Sequence, residues 1–190
     1  MGRPRTFDEE LVLDAAMRAF WATGFAGTST EDLCAATGLG RSSLYNTFTG
    51  KRELFVASLR RYSDEMYRRA SEILGRPLPI RDRIRELLQQ GVEPLAGDPV
   101  GCFVVNSVLE LDGSDPEVAE LLFSDGERRL ALIRDVLATA QVDGEIDPSR
   151  DPEALARFVG ATVSGMRVAA RSGADRAALT AIADTAITAF

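Results

Sequence analysis

Thr28-Ser-Thr-Glu-Asp-Leu-Cys-Ala-Ala-Thr-Gly-Leu-Gly-Arg-Ser-Ser-Leu-Tyr-Asn-Thr-Phe-Thr-Gly-Lys-Arg-Glu-Leu-Phe55 is the stretch that decides the fold. Thr28 to Thr30 offer hydroxyls for a helix start, and Glu31 follows Thr28 at capping-box spacing. A short helix with Leu33 and Ala36 or Ala35 turned inward then meets Gly38, where glycine turns left-handed without steric cost. Leu39 is the expected buried residue of the turn. A second short helix places Leu44 and Phe48 on the core side at i,i+4 spacing and turns Arg41, Ser42, Ser43, Tyr45 and Asn46 outward. Helix, tight turn, helix is the geometry that seats a second helix in a DNA major groove.

The outward residue types suit that task. Arg41 can donate to a base or a phosphate, and Ser42, Ser43 and Asn46 are short hydrogen-bonders. Tyr45 suits a phosphate or a thymine methyl. Lys51 and Arg52 open the next helix, whose free N–H groups also favour a phosphate. The bland alternative is a helical hairpin with a solvated polar face. The Gly38-to-Phe55 run is more specific than that: it resembles the DNA-binding signature of the TetR family of bacterial transcriptional regulators. The resemblance covers roughly residues 5 to 60 by motif and the remainder by helix layout.

Charge is distributed to match. The chain of 190 residues has a formal net charge of −7. Residues 1–52 hold six basic and six acidic groups, the acids all lying in the opening turns of the first two helices. No acid falls between Leu33 and Arg52, so the negative charge belongs to the rest of the chain. An acidic body with a locally basic reading surface is compatible with DNA binding and disfavours sequence-blind packaging. With no histidine, histidine triads, histidine–zinc sites and a histidine pH switch are excluded. No metal site or cofactor is expected, and no nucleophile–base pair or phosphate loop suggests an enzyme. Apolar runs fall short of the roughly 20 residues of a membrane span. The polar N-terminus predicts no signal peptide, and two cysteines, Cys34 and Cys102, fit a reduced, cytoplasmic setting without a structural disulfide.

Taken in order, Arg3-Pro4-Arg5 reads as a basic arm for a minor groove or phosphates, or else as a free tail. Met1-Gly2 and Thr6 also fit a loose lipidation pattern, but Thr6 with Glu9 reads better as the cap of a first helix, about Phe7 to Thr23. Phe20, Trp21 and Phe25 are expected to close a small core with Leu33, Leu44 and Phe48. A long helix from Gly50 to about Leu74 repeats Phe55, Leu59, Tyr62, Met66, Ala70 and Ile73 on one face. It is the natural mechanical link between a head, residues 1–50, and a body, residues 51–190. Tyr62 and Met66 are core or cavity residues; Met adapts easily.

Further helices are expected over Ile80–Glu93, Gly101–Leu111, Asp115 to about Ala140, Pro152–Ser172 and Ala174–Phe190. This makes an all-α chain of about nine helices. Asp115-Pro116-Glu117 and Asp151-Pro152-Glu153 share one start signal: Asp cap, Pro at the first helical position, Glu in the first turn. Asn106 stands in an apolar stretch and must find partners from another helix or from a ligand. The last two helices carry Phe158, Val163, Met166, Ile182, Ile187 and a seam of small residues, Gly160, Ala161, Ser164, Gly165 and Ala169. Paired with their copies they would make a four-helix dimer interface; otherwise they pack on their own body.

The family resemblance implies a dimer whose three N-terminal helices read a palindromic operator in double-stranded DNA. It implies a C-terminal body that holds a small-molecule effector, whose binding shifts the fourth helix and releases the operator. By motif position Thr28 and Thr30 fall at the phosphate edge. Arg41, Ser42, Ser43, Tyr45 and Asn46 fall in the groove, and Lys51 on phosphate. Effector candidates are Tyr62, Met66, Cys102, Phe103, Asn106 and Met166. Gly40 and Thr47 depart from the family pattern, which often has a Ser or Thr cap and a Tyr or His there. Gly101-Cys102-Phe103 resembles a segment of family members that sense electrophiles, oxidants or metals, so a repressor switched through the Cys102 thiol is the alternative.

Overall fold

The computed structural model describes residues 8–92, 98–111 and 115–190. Within them the chain forms α1 (Glu9–Gly27), α2 (Thr30–Thr37), α3 (Arg41–Phe48), α4 (Lys51–Leu74), α5 (Ile80–Val92), α6 (Phe103–Leu111), α7 (Pro116–Val142), α8 (Pro152–Arg171) and α9 (Arg176–Ile187). All regular structure among these residues is helical, as the periodicities require. No helix here is long and apolar enough to cross a membrane.

The helix starts follow cap chemistry. Asp8 accepts from the Glu10 N–H at the head of α1; the expected Thr6 cap lies outside the described residues. Asp115 and Asp151 cap α7 and α8 with Pro in the first turn, as the two Asp-Pro-Glu signals predict. The capping box of α2 lies one residue later than expected. Ser29 and Asp32 cap each other's backbone, and Thr28 turns inward instead.

Two apolar cores result. The head core joins Val12, Ala16, Phe20 and Trp21 of α1 with Leu33, Leu44, Phe48 and the first half of α4, down to Tyr62. Rings meet edge to face within it: Phe20 with Phe55 at 5.2 Å, and Trp21 with Tyr62 at 4.9 Å. It does not stop at residue 50. Cys102, Phe103 and Val104 of the α6 start and Val118 of α7 belong to it. The body core gathers the end of α4 with α5, α7, α8 and α9, around Ile84, Leu88, Leu137, Ala156 and Val159. Helix α4 therefore spans both cores, and α6 lies against the head rather than in the middle of the body.

Candidate nucleic-acid interface and effector cavity

Helix α3 is held from behind and free in front. Leu44 and Phe48 are buried, while Arg41, Ser42, Ser43 and Asn46 are exposed on the opposite side. Gly38 closes α2 in the left-handed region at φ 69°, with its N–H bonded to the Cys34 carbonyl, which sets the tight turn. Leu39 is half-buried against the head core rather than fully enclosed. The Thr30 and Tyr45 hydroxyls lie 2.6 Å apart and tie α2 to α3 at its half-buried edge. Gly40 gives α3 no side-chain cap, so its first N–H groups are free for a phosphate. Thr49 ends α3 at φ 62°, an uncommon conformation for a non-glycine residue, and α4 starts two residues on. There Lys51 sits with Nζ 4.5 Å from the Phe25 ring centroid.

Thr28 is not on this surface. It is fully buried, donating to the Gly24 carbonyl at 2.6 Å and bonded to the Thr23 hydroxyl at 2.7 Å. Its hydroxyl serves the break in α1, where Gly24 leaves helical geometry at φ 81°, and cannot touch DNA in this conformation. Arg3 and Arg5 lie outside the described residues.

A cavity of about 380 Å³ opens in the body between α4, α5, α7 and α8. Its apolar wall includes Met66, Leu87, Leu130 and Ile133, and its polar groups include Gln90, Ser164 and Arg167. Volume and lining are those of a small-molecule site. Of the expected effector residues, Met66 and Cys102 line it. Tyr62 stands behind Cys102, donating to Sγ at 3.5 Å; burial pushes its phenol well above the usual range and keeps it protonated. Phe103 and Met166 are core, Phe103 stacked edge-on between Phe55 and Tyr62 and Met166 packed on Gly91. Asn106 faces a second groove on the far side of Cys102, and its Nδ2 is buried without a partner. No group of metal-ligating side chains occurs among the described residues.

Two polar latches tie body to head. Glu110, near the end of α6, accepts from the N–H groups of Phe25 and Ala26 at 2.9 and 2.7 Å. These are amides freed by the break at Gly24, so a side chain of one helix caps the restart of another. A Cβ on Gly24 would lie 2.6 Å from the Glu110 carboxylate. Arg52, in the first turn of α4, forks onto Asp115 at 2.7 and 2.8 Å and reaches Glu117 at 2.9 Å. The guanidinium hydrogen bonds hold the Asp115 carboxyl below its ordinary range. Sequence reading gave neither Glu110 nor Arg167 a role. Each acts on a segment far away in the chain, and no local pattern announces it.

Known proteins show the same plan. A family model described as "Bacterial regulatory proteins, tetR family" matches residues 12–58, and one described as "Tetracyclin repressor-like, C-terminal domain" matches residues 81–186. The HTH-type transcriptional repressor ComR of Escherichia coli (strain K12) is 32% identical over 98% of this chain and 90% of its own length. The chain belongs to the TetR family. The uncharacterized HTH-type transcriptional regulator YezE of Bacillus subtilis (strain 168) is 33% identical over 92% of both chains. In structure, a cysteine mutant of the TetR-family regulator CifR, bound to a 26-bp double-strand operator DNA, superposes with a TM-score of 0.88 at 30% identity and covers both chains in full. The protein is thus a helix-turn-helix DNA-binding transcriptional regulator.

Proposed function

We propose that this TetR-family protein is a dimeric repressor that reads a palindromic operator and is released from it by a small molecule held in the α4/α5/α7/α8 cavity. The observation that carries this reading is one helix, α4, that begins beside the DNA-facing α3 and ends in the wall of that cavity. Arg41, Ser42, Ser43 and Asn46 take the groove, with Tyr45 at its edge and Thr30 and Lys51 on phosphates. The named repressors among its relatives and the operator bound by CifR support the DNA side.

Dimerisation falls to α8 and α9. Phe158, Gly165 and Val168 make an exposed, weakly polar stripe along α8, and Ile182 is exposed on α9. The small-residue seam divides: Gly160, Ala161 and Ser164 line the cavity, while Gly165 stays on the outer face. A cytoplasmic regulator without catalytic activity fits the composition. The alternative of a thiol switch at Cys102 has less support, because the side chain is 5% exposed and packed under Tyr62.

Selection of bound duplexes from a random library tests the DNA reading. The expected product is a palindrome with half-sites about 34–36 Å, one helical turn, apart. Salt-sensitive binding with no sequence preference would sink it.

A further inference from the structure

We infer that the molecule read by the cavity carries an anionic head group, a carboxylate in the simplest form, and that Arg167 is the residue that binds it. This rests on the effector reading above and specifies its chemistry.

Four charged side chains line the cavity: Glu127, Arg129, Arg157 and Arg167. Glu127 and Arg157 are exposed at the rim, and Arg157 is paired with Glu153 at 2.7 Å. Arg129 is half-buried and paired with Asp125 at 3.1 Å. Arg167 is half-buried too, but among the described residues no carboxylate pairs with it. Its guanidinium reaches only two backbone carbonyls, Gly101 at 3.2 Å and Gln90 at 3.4 Å, both at the long end of hydrogen bonding. A guanidinium has five N–H donors in a planar fork, and a half-buried cation without an anion gives up solvation for little return. A ligand carboxylate would take the fork with two charge-assisted bonds, while the apolar wall took its hydrocarbon part. The cavity's inner charge is therefore positive and uncompensated at Arg167.

The same contact supplies a route outward. Gly101 stands two residues before α6, and α6 ends in the Glu110 latch on α1. An anion that draws Arg167 off the Gly101 carbonyl loosens the start of the helix that holds the head. The ligand then favours one arrangement of head and body over the other, which is what an effector needs.

The test uses purified full-length protein and probes that share a body and differ in head group: benzoate, benzyl alcohol and benzylamine, then octanoate, octan-1-ol and octylamine below their aggregation limits. Titration calorimetry and thermal shift are the readouts. The expected result is binding and stabilisation by the carboxylates alone. Arg167→Met weakens that binding about tenfold or more, and Arg167→Lys, which keeps charge but loses the fork, falls between. Far-UV circular dichroism establishes that both variants are folded. Alcohols or amines binding as well as the acids would overturn the anionic assignment and leave the cavity reading standing, as would an undiminished affinity in Arg167→Met. If no probe binds, the assignment also fails. Release of the selected operator by a small-molecule cell extract then decides the effector reading separately: release preserves it, and no release removes it.

Discussion

At the scale of single residues, two neighbouring hydroxyls differ in what surrounds them. Thr28 and Thr30 look interchangeable in sequence, yet Thr28 is enclosed and holds the α1 break, while Thr30 lies at the half-buried α2–α3 edge beside Tyr45. Their substitutions should part company. Thr28→Ala should destabilise the head by about 1–3 kcal/mol, because the Gly24 carbonyl loses its donor at the break in α1, with the salt dependence of DNA binding unchanged. Arg41→Ala should leave the melting temperature near wild type and weaken operator binding. If Arg41 meets a phosphate, the slope of log affinity against log salt falls by about one; if it meets a base, sequence preference relaxes at one position. Ser29→Ala should cost about 1 kcal/mol through the lost capping box of α2. Denaturant titrations and salt-series binding check all three.

At the scale of elements, the latches decide how α6 and α4 act. Glu110→Ala should uncap Phe25 and Ala26 and speed their amide exchange, with little change in the body amides; uniform exchange in the variant would refute the latch. The Arg52–Asp115 contact sets a pH dependence. The Asp115 carboxyl is depressed in the folded state by Arg52 and by the α7 N–H groups. Its contribution is therefore full above the ordinary carboxylate pKa of about 4 and is lost as pH falls through the depressed folded value. With no histidine in the chain, stability should be nearly flat from about pH 6 to pH 8 and fall only in acid; Arg52→Gln should shrink that acid loss. The helices themselves were legible. The apolar period marks α4, two Asp-Pro-Glu signals mark the starts of α7 and α8, and Gly38 marks the turn. The motif's outward face was legible too, because an i,i+4 pair fixes which side is buried. Arg167 and Glu110 were not, since their partners stand 66 and 85 positions away and only the packed helices bring them together.

At the scale of the whole molecule, the α8 stripe should govern assembly. Phe158→Glu places a charge on that stripe and should shift the protein from dimer to monomer in sedimentation. Binding to a full palindrome should then fall to roughly that of a single half-site, because the second contact no longer benefits from a tethered effective concentration. The shared head core carries a different consequence. Tyr62, Phe103, Val104 and Val118 close the hydrophobic interior around Trp21 and Phe55, so the sequence that reads DNA borrows part of its inside from three later helices. The head is not a cassette. A hybrid regulator spliced at residue 50, with this reading motif on a foreign sensor, would inherit a half-built interior. One that also carried the first half of α4, α6 and the first turn of α7 would inherit a whole one.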